Sequence, residues 1–355
     1  MLYSIMPPCV GGIIGYGGES VLFFRRYLLP RIVQFLVVVF VGITIVFIVP
    51  RLTPVDPVQE VINRITSQGA FLDPAAVDNM RKSLTELYGL GGNVFQQYFA
   101  FWGRLFRGDF GPSLFQFPTP VTQLIMNSLP WTAGLLIATT LISWIVGNFL
   151  GGIAGYFKNK RWAKILDNIC MVIRPIPYYI FALLLLILFA YLFPVFPSAG
   201  GYSVGRRIGF NWAFISDVLK HSFLPAISLM VLGMAANFMT MKLIVSNIVA
   251  EDYVMYAKAG GLKESKIAFK YVFKNGLLPQ ITGLALSLGQ IFGGALITEI
   301  VFSYPGIGTL VYGAINSGDY NLIMGVTSLS VIGIAGATLI IDLLYPLFDP
   351  RIRYR

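Results

Sequence analysis

Six stretches of this chain contain no charged side chain: residues 32–50, 130–157, 175–196, 222–241, 277–298 and 320–341. At a rise of about 1.5 Å per residue, a helix of roughly 20 residues crosses the ~30 Å hydrocarbon core of a bilayer, and each stretch reaches or nearly reaches that length. Lipid offers the backbone no hydrogen-bonding partner, so an immersed segment must satisfy its N–H and C=O groups internally, which makes helix the expected form. The expected fold class is an all-α integral membrane protein with six transmembrane helices. Composition agrees, since 12% of the 355 residues are charged, about half the share usual in soluble domains. Gly147, Gly151, Gly152, Gly155, Gly289, Gly293 and Gly294 fall inside the stretches, where small residues let helices pack closely.

The basic residues fix the orientation. Counted over alternate sides of the six spans, one side holds 17 Lys and Arg against seven Asp and Glu, and the other holds nine of each. The whole net charge of +10 therefore lies on one side, and the positive-inside rule makes that side, with both termini, cytoplasmic. Spread over four membrane-flanking segments without a groove-reading motif, this charge does not point to nucleic acid.

Several chemistries are missing. No GxxxxGK[ST] occurs and Gly-Lys is absent, so an ordinary phosphate-cradling loop is not encoded. Cys9 and Cys170 have no CxxC spacing, which argues against a disulfide framework or a zinc site. The single histidine, His221, precedes the fourth span and reads as a solvated interfacial residue, as do Glu299 and Asp342 at span ends. No catalytic, cofactor-binding or metal-ligating residues are expected. Ion-coupled carriers place acids or histidines within their spans; none lies in the six uncharged cores, so uphill transport would draw its energy from another subunit. The first residues, 1–24, lack the basic start of a cleavable signal and read as an extension.

Two loops are long. The outer one, 51–129, carries a helix signature in which Asp73 is the N-cap, Pro74 opens the first turn and Gly89 follows the last. The inner one, 242–276, holds the densest charge. There Glu251, Asp252, Tyr253 and Val254 lead to Ala257, Lys258, Ala259, Gly260, Gly261 and Leu262, two short helical stretches around a Gly-Gly turn. Lys263, Lys266, Lys270 and Lys274 follow at spacings that line one helical face. On periodicity alone, such a face suits a juxtamembrane helix whose lysines meet anionic headgroups.

The pattern of Glu251, Ala257 and Gly261 with downstream Leu278 and Pro279 resembles the EAA-type loop in permease subunits of bacterial and archaeal ABC importers. Nearly the whole chain from Arg25 is similar to the oligopeptide and dipeptide branch, in the subunit with a long first external loop. The matching features are Arg25-Arg26, Leu52-Thr53-Pro54-Val55-Asp56-Pro57, Leu87-Tyr88-Gly89-Leu90, Gly108-Asp109-Phe110-Gly111-Pro112-Ser113, Glu251-Asp252-Tyr253-Val254, Phe302-Ser303-Tyr304-Pro305-Gly306-Ile307-Gly308 and Asp349-Pro350-Arg351. Val55 stands where the branch usually has Gly, and Gly260 where a basic residue is common.

The resemblance implies a type I importer permease architecture in a bacterial or archaeal plasma membrane. Its parts would be an extension (1–24), a first span (25–50), an extracytoplasmic region of short helices (51–129), a five-helix core with the inner loop (130–348) and a tail (349–355). It also implies a second homologous permease as heterodimer partner, two ATP-binding cassette subunits that use ATP and Mg, and a solute-binding protein outside. Glu251, Ala257, Gly260, Gly261, Leu262, Lys263, Lys266, Lys270, Leu278 and Pro279 would form the ATPase-coupling loop. The outer region would receive the binding protein or act as a lid. Substrates in the branch include peptides, nickel complexes and oligosaccharides, with peptides ranked first here. Two other readings stand beside this one: an ATP-independent channel or facilitator, which would have no use for the inner loop, and a membrane-anchored structural protein whose glycines only pack.

Overall fold

The computed structural model of the protein describes residues 27–52, 56–67, 73–114 and 116–348; the expected extension 1–24 and tail 349–355 lie outside the described residues. The described part is helical throughout. The first helix, α1 (Leu29–Leu52), is followed by α2 (Pro57–Ser67), α3 (Pro74–Leu87) and α4 (Val94–Arg107), then by the long α5 (Val121–Tyr156). Next come α6 (Arg161–Ile173), α7 (Tyr178–Leu186, prolonged by a π turn, Ile187–Leu192) and the long α8 (Trp212–Ile248). Short α9 (Asp252–Ala259) and α10 (Glu264–Lys266) lead through a π segment, Ile267–Phe273, into α11 (Lys274–Gly289). Finally α12 (Leu296–Val301), α13 (Ile307–Ser317) and α14 (Tyr320–Phe348) close the chain.

Six spans are not confirmed. Among the described residues four helices are long and apolar enough to cross a membrane: Leu29–Leu52, Val121–Tyr156, Trp212–Ile248 and Tyr320–Leu343. A fifth arises if Arg161–Ile173 and Tyr178–Leu192, bent by 94°, are taken together. Pro175 and Pro177 sit at that bend, and each removes a backbone donor and disfavours helix in the residue before it. The stretch 277–298 is not one helix either. Helical backbone continues from Glu264 to Gly289, makes one 3₁₀ turn over Gln290–Gly293, and breaks at Gly294, whose φ of +73° a side chain would resist.

Close packing sets the core. A Cβ on Gly147 would lie 2.7 Å from the carbonyl oxygen of Met234, one on Gly151 would collide with that of Phe238, and one on Gly155 would lie 2.7 Å from that of Lys242. Spaced by four on both helices, these contacts bring α5 and α8 together backbone to backbone, running in parallel. On the opposite flank α1 packs antiparallel to α14: Gly42 abuts Val331 and Arg31 pairs with Asp342 at 3.1 Å. Asp342 thus keeps an interfacial place, tied to a cation.

In the outer region, α3 starts after Asp73 and ends before Gly89 at φ +63°, as its punctuation predicts, although the Asp73 side chain makes no capping bond. The motif Gly108–Ser113 docks onto the start of α14. Ser113 Oγ donates to Asp319 at 2.5 Å, Asp319 accepts from the Leu322 N–H at 3.0 Å, and Asn321 donates to the Pro112 carbonyl at 3.1 Å.

Candidate functional site

The inner loop hangs from the ends of α8 and α11 that the basic residues assign to the cytoplasm. Glu251, in extended backbone conformation, opens α9, and its carbonyl accepts from the N–H groups of Val254 and Met255 at 3.0 and 3.2 Å. Glycine ends the helix: Gly261 has φ +72°, and the Leu262 N–H returns to the Ala257 carbonyl at 3.3 Å. The chain then enters α10 and the π segment, which carries it back towards the membrane.

One face of this hairpin is internal. Val254, Ala257, Ile267 and Val272 are buried against Met241 and Val245 of α8, with Leu262 and Leu277 packed at the edge. Two α5 glycines bring this cluster close to α5: a Cβ on Gly155 would meet Val245 at 2.9 Å, and one on Gly152 would meet the Phe273 ring at 2.5 Å. Asn275 donates to the Tyr253 hydroxyl at 3.2 Å and to the Tyr271 carbonyl at 2.8 Å, joining α9 to the return helix. The other face is open. Glu251, Gly260, Gly261, Lys263, Lys266, Lys270, Leu278 and Pro279 are all exposed, together with Met255 at 53% and Tyr256 at 76%.

The arrangement changes the weight of several residues. Ala257 and Leu262 face the chain's own core, so they hold α9 in place. The apolar surface left open on α9 is largest at Met255 and Tyr256, which periodicity did not single out because both lie on the face opposite Val254 and Ala257; Tyr253 and Phe269 are exposed as well. Leu277, not Leu278, joins the cluster. The four lysines are exposed, but they are strung along a helix whose π segment interrupts the expected regular face.

Two expectations of solvation are corrected. His221 is buried, its Nδ1 lying 2.8 Å from the Asp217 carbonyl one turn earlier. Asp217 in turn accepts from the Ser203 N–H at 2.7 Å and hydroxyl at 2.8 Å, and lies 3.7 Å from Arg206. The segment before α8 folds over one side of this helix end and buries Asp217 and His221 there. Glu299 is also fully buried. Its carboxyl accepts from Thr132 Oγ of α5 at 2.8 Å and from the Gly308 N–H at 2.6 Å, while the Ile307 N–H donates to that same Thr132 oxygen at 2.8 Å.

Glu299 therefore caps the N-terminus of α13, where free N–H groups and the helix dipole favour an acid. The same geometry accounts for two glycines of the motif 302–308. A Cβ on Gly306 would collide with the Glu299 carboxyl and meet Thr132 Oγ at 2.5 Å; one on Gly308 would come 2.6 Å from the Leu296 backbone. On α12, outside the long spans, burial pushes the Glu299 carboxyl above the usual carboxylate range, while its hydrogen bonds to Thr132 and Gly308 oppose the shift. A charge at the edge of an uncharged stretch, three residues before a Gly-rich motif, is the signal by which sequence alone could have found it.

The comparisons follow the same lines. Residues 147–354 match the family described as binding-protein-dependent transport system inner membrane component. The oligopeptide transport system permease protein AppB of Bacillus subtilis is 30% identical over 320 residues, 89% of this chain and 96% of that protein. OppB of Haemophilus influenzae, an oligopeptide transport system permease protein, is 30% identical over 93% of this chain and 99% of its own length. The dipeptide transport system permease protein DppB of Lactococcus lactis is 25% identical over 92% of this chain and 99% of its own.

Proposed function

This chain belongs to the family of binding-protein-dependent transport system inner membrane components, and on that premise we propose that it admits oligopeptides, coupled to ATP hydrolysis through residues 251–262. It is a multi-pass cell-membrane permease subunit of an ABC importer; ATPase activity resides in separate subunits, and a binding protein supplies solute from outside. The names of the relatives support the peptide arm of the substrate range. A second, homologous permease and two ATPase subunits complete the proposed assembly, with ATP and Mg bound by those subunits.

One observation carries the coupling role. α9 is a short helix whose inner face is fixed to α8 and the return helix, while Met255, Tyr256 and the Gly260-Gly261 turn stay exposed. A partner that grips the open face moves the spans with it, because the inner face leaves little slack. Lys263, Lys266 and Lys270 add exposed ion pairs worth only about 0–1 kcal/mol each, and Glu251 offers an acid at the helix start.

Affinity purification of the tagged chain from mild detergent, with mass spectrometry of what accompanies it, tests the assembly. Recovery of two ATPase subunits and a second permease is the expected result. Recovery of the chain alone, conducting solute without ATP, would move the assignment to a facilitator. Uptake of labelled peptide against labelled oligosaccharide by the recovered complex tests the substrate.

A further inference from the structure

Charge and length assign residues 51–129 to the extracytoplasmic side, yet the contacts of α4 lead into the bilayer. Arg51, at the outer end of α1, donates to Gln97 at 3.1 and 3.2 Å. From there the contacts descend along α1. The Tyr98 hydroxyl lies 2.8 Å from Thr44 Oγ, the Tyr98 ring meets Phe47 at 5.1 Å, and the Trp102 ring stacks on Phe40 at 5.9 Å. Phe40 sits ten residues before Pro50 in the uncharged stretch, so about 15 Å of helix separates it from the outer end, half of the ~30 Å core.

Phe40 is itself exposed, in a run with exposed Val37, Val41 and Ile45 on a helix long and apolar enough to cross a membrane. Trp102 continues that surface onto α4, packing against Phe106 at 5.7 Å, and Phe106 is 82% exposed. Phe95 and Phe99 are exposed as well, and spacings of four and seven set them on the same side as Phe106. The helix ends suit immersion. Asn93 and Gln96 form a reciprocal capping box, and Gly108 closes the C-terminus in left-handed conformation, so few backbone groups are left for water to satisfy. Arg104 and Arg107 lie away from this aromatic side, lining a cavity shared with Glu86 and Asp109.

We propose that α4 is embedded in the outer half of the bilayer, with Phe95, Phe99 and Phe106 packed against phospholipid acyl chains. The exposed apolar surface of α1 continues onto α4 through Phe40, Trp102 and Phe106, and aromatic side chains are favoured near the membrane–water boundary. α2 and α3 are then left as the part of the outer region that faces water.

Nitroxide accessibility tests this on the full-length chain with its co-purified subunits, in vesicles of phosphatidylethanolamine and phosphatidylglycerol. Labels go on Phe95→Cys, Phe99→Cys and Phe106→Cys in a background with Cys9 and Cys170 replaced by Ser; all three side chains are exposed, so their replacement leaves no cavity in the core. Val37→Cys supplies the lipid reference and Asp78→Cys on α3 the water reference. The expected result is collision with oxygen exceeding collision with a water-soluble nickel complex at all three positions, as at Val37. Nickel exceeding oxygen, as at Asp78, would place the face in water and overturn the proposal. Shielding from both reagents would mean that a protein subunit covers it and would overturn it equally.

Discussion

Gly261 has φ +72° and open space where a Cβ would go. A substitution there meets no neighbour; it meets only the cost of left-handed backbone, about 1–2 kcal/mol for an ordinary residue and more for a β-branched one. Gly261→Val is expected to insert and assemble but to shift the turn after α9, leaving ATP hydrolysis that no longer drives uptake. Substrate-stimulated transport at wild-type rate would remove the turn from the coupling mechanism. Glu299 makes a prediction in pH. Burial raises its carboxyl in the folded protein, so its contribution to stability is whole below the ordinary carboxylate range and is lost as pH rises through the raised value. Thermal unfolding from about pH 5 to pH 9 should therefore show wild type losing stability relative to Glu299→Gln as pH rises; a constant difference would contradict this. Gly306→Ala, which forces a methyl into the Glu299–Thr132 contact, is expected to cost about 1–3 kcal/mol, read as a lowered unfolding temperature in detergent.

At the scale of the element, the open face of α9 and the lysines after it make different demands on a partner. Met255→Asp combined with Tyr256→Ala should abolish co-purification of ATPase subunits, because most of the exposed apolar surface of α9 is lost, while charge reversal at Lys266 and Lys270 should reduce it only modestly. The opposite order would make the lysines the main contact. Much at this scale was legible in the sequence. The Gly260-Gly261 break, the α3 signature of Asp73, Pro74 and Gly89, and the close packing at Gly147, Gly151, Gly152 and Gly155 all follow from local chemistry, whereas Gly293 is exposed with no neighbour at its Cβ position and Gly294 serves a turn. Less legible were the π segment after Lys266 and the termination of α11 at Gly289, since both answer to packing against α5, α8 and α14. The burial of His221 and Glu299 was harder to read for a related reason: the Ser203 segment beside Asp217 and His221, and Thr132 beside Glu299, become neighbours only when distant segments fold together, and hydropathy averages cannot register a single satisfied acid.

For the whole molecule, the α5–α8 contact is the structural spine, and side chains on its glycines have nowhere to go. Gly151→Leu is expected to prevent stable accumulation of the permease, measured as loss of folded protein in the membrane fraction; normal levels with normal assembly would show that α5 and α8 can separate without penalty. α8 itself is 37 residues long, about 55 Å at 1.5 Å per residue, well beyond the hydrocarbon thickness. Its inner end carries α9, and its outer end is pinned by Asp217 to the segment that includes Ser203 and Arg206. On the proposed coupling, such a helix would serve as a connecting rod: a stroke delivered through α9 would travel along a shaft pressed against α5 and reach the segment tied to Asp217, so one mechanical part would set the timing of the two faces.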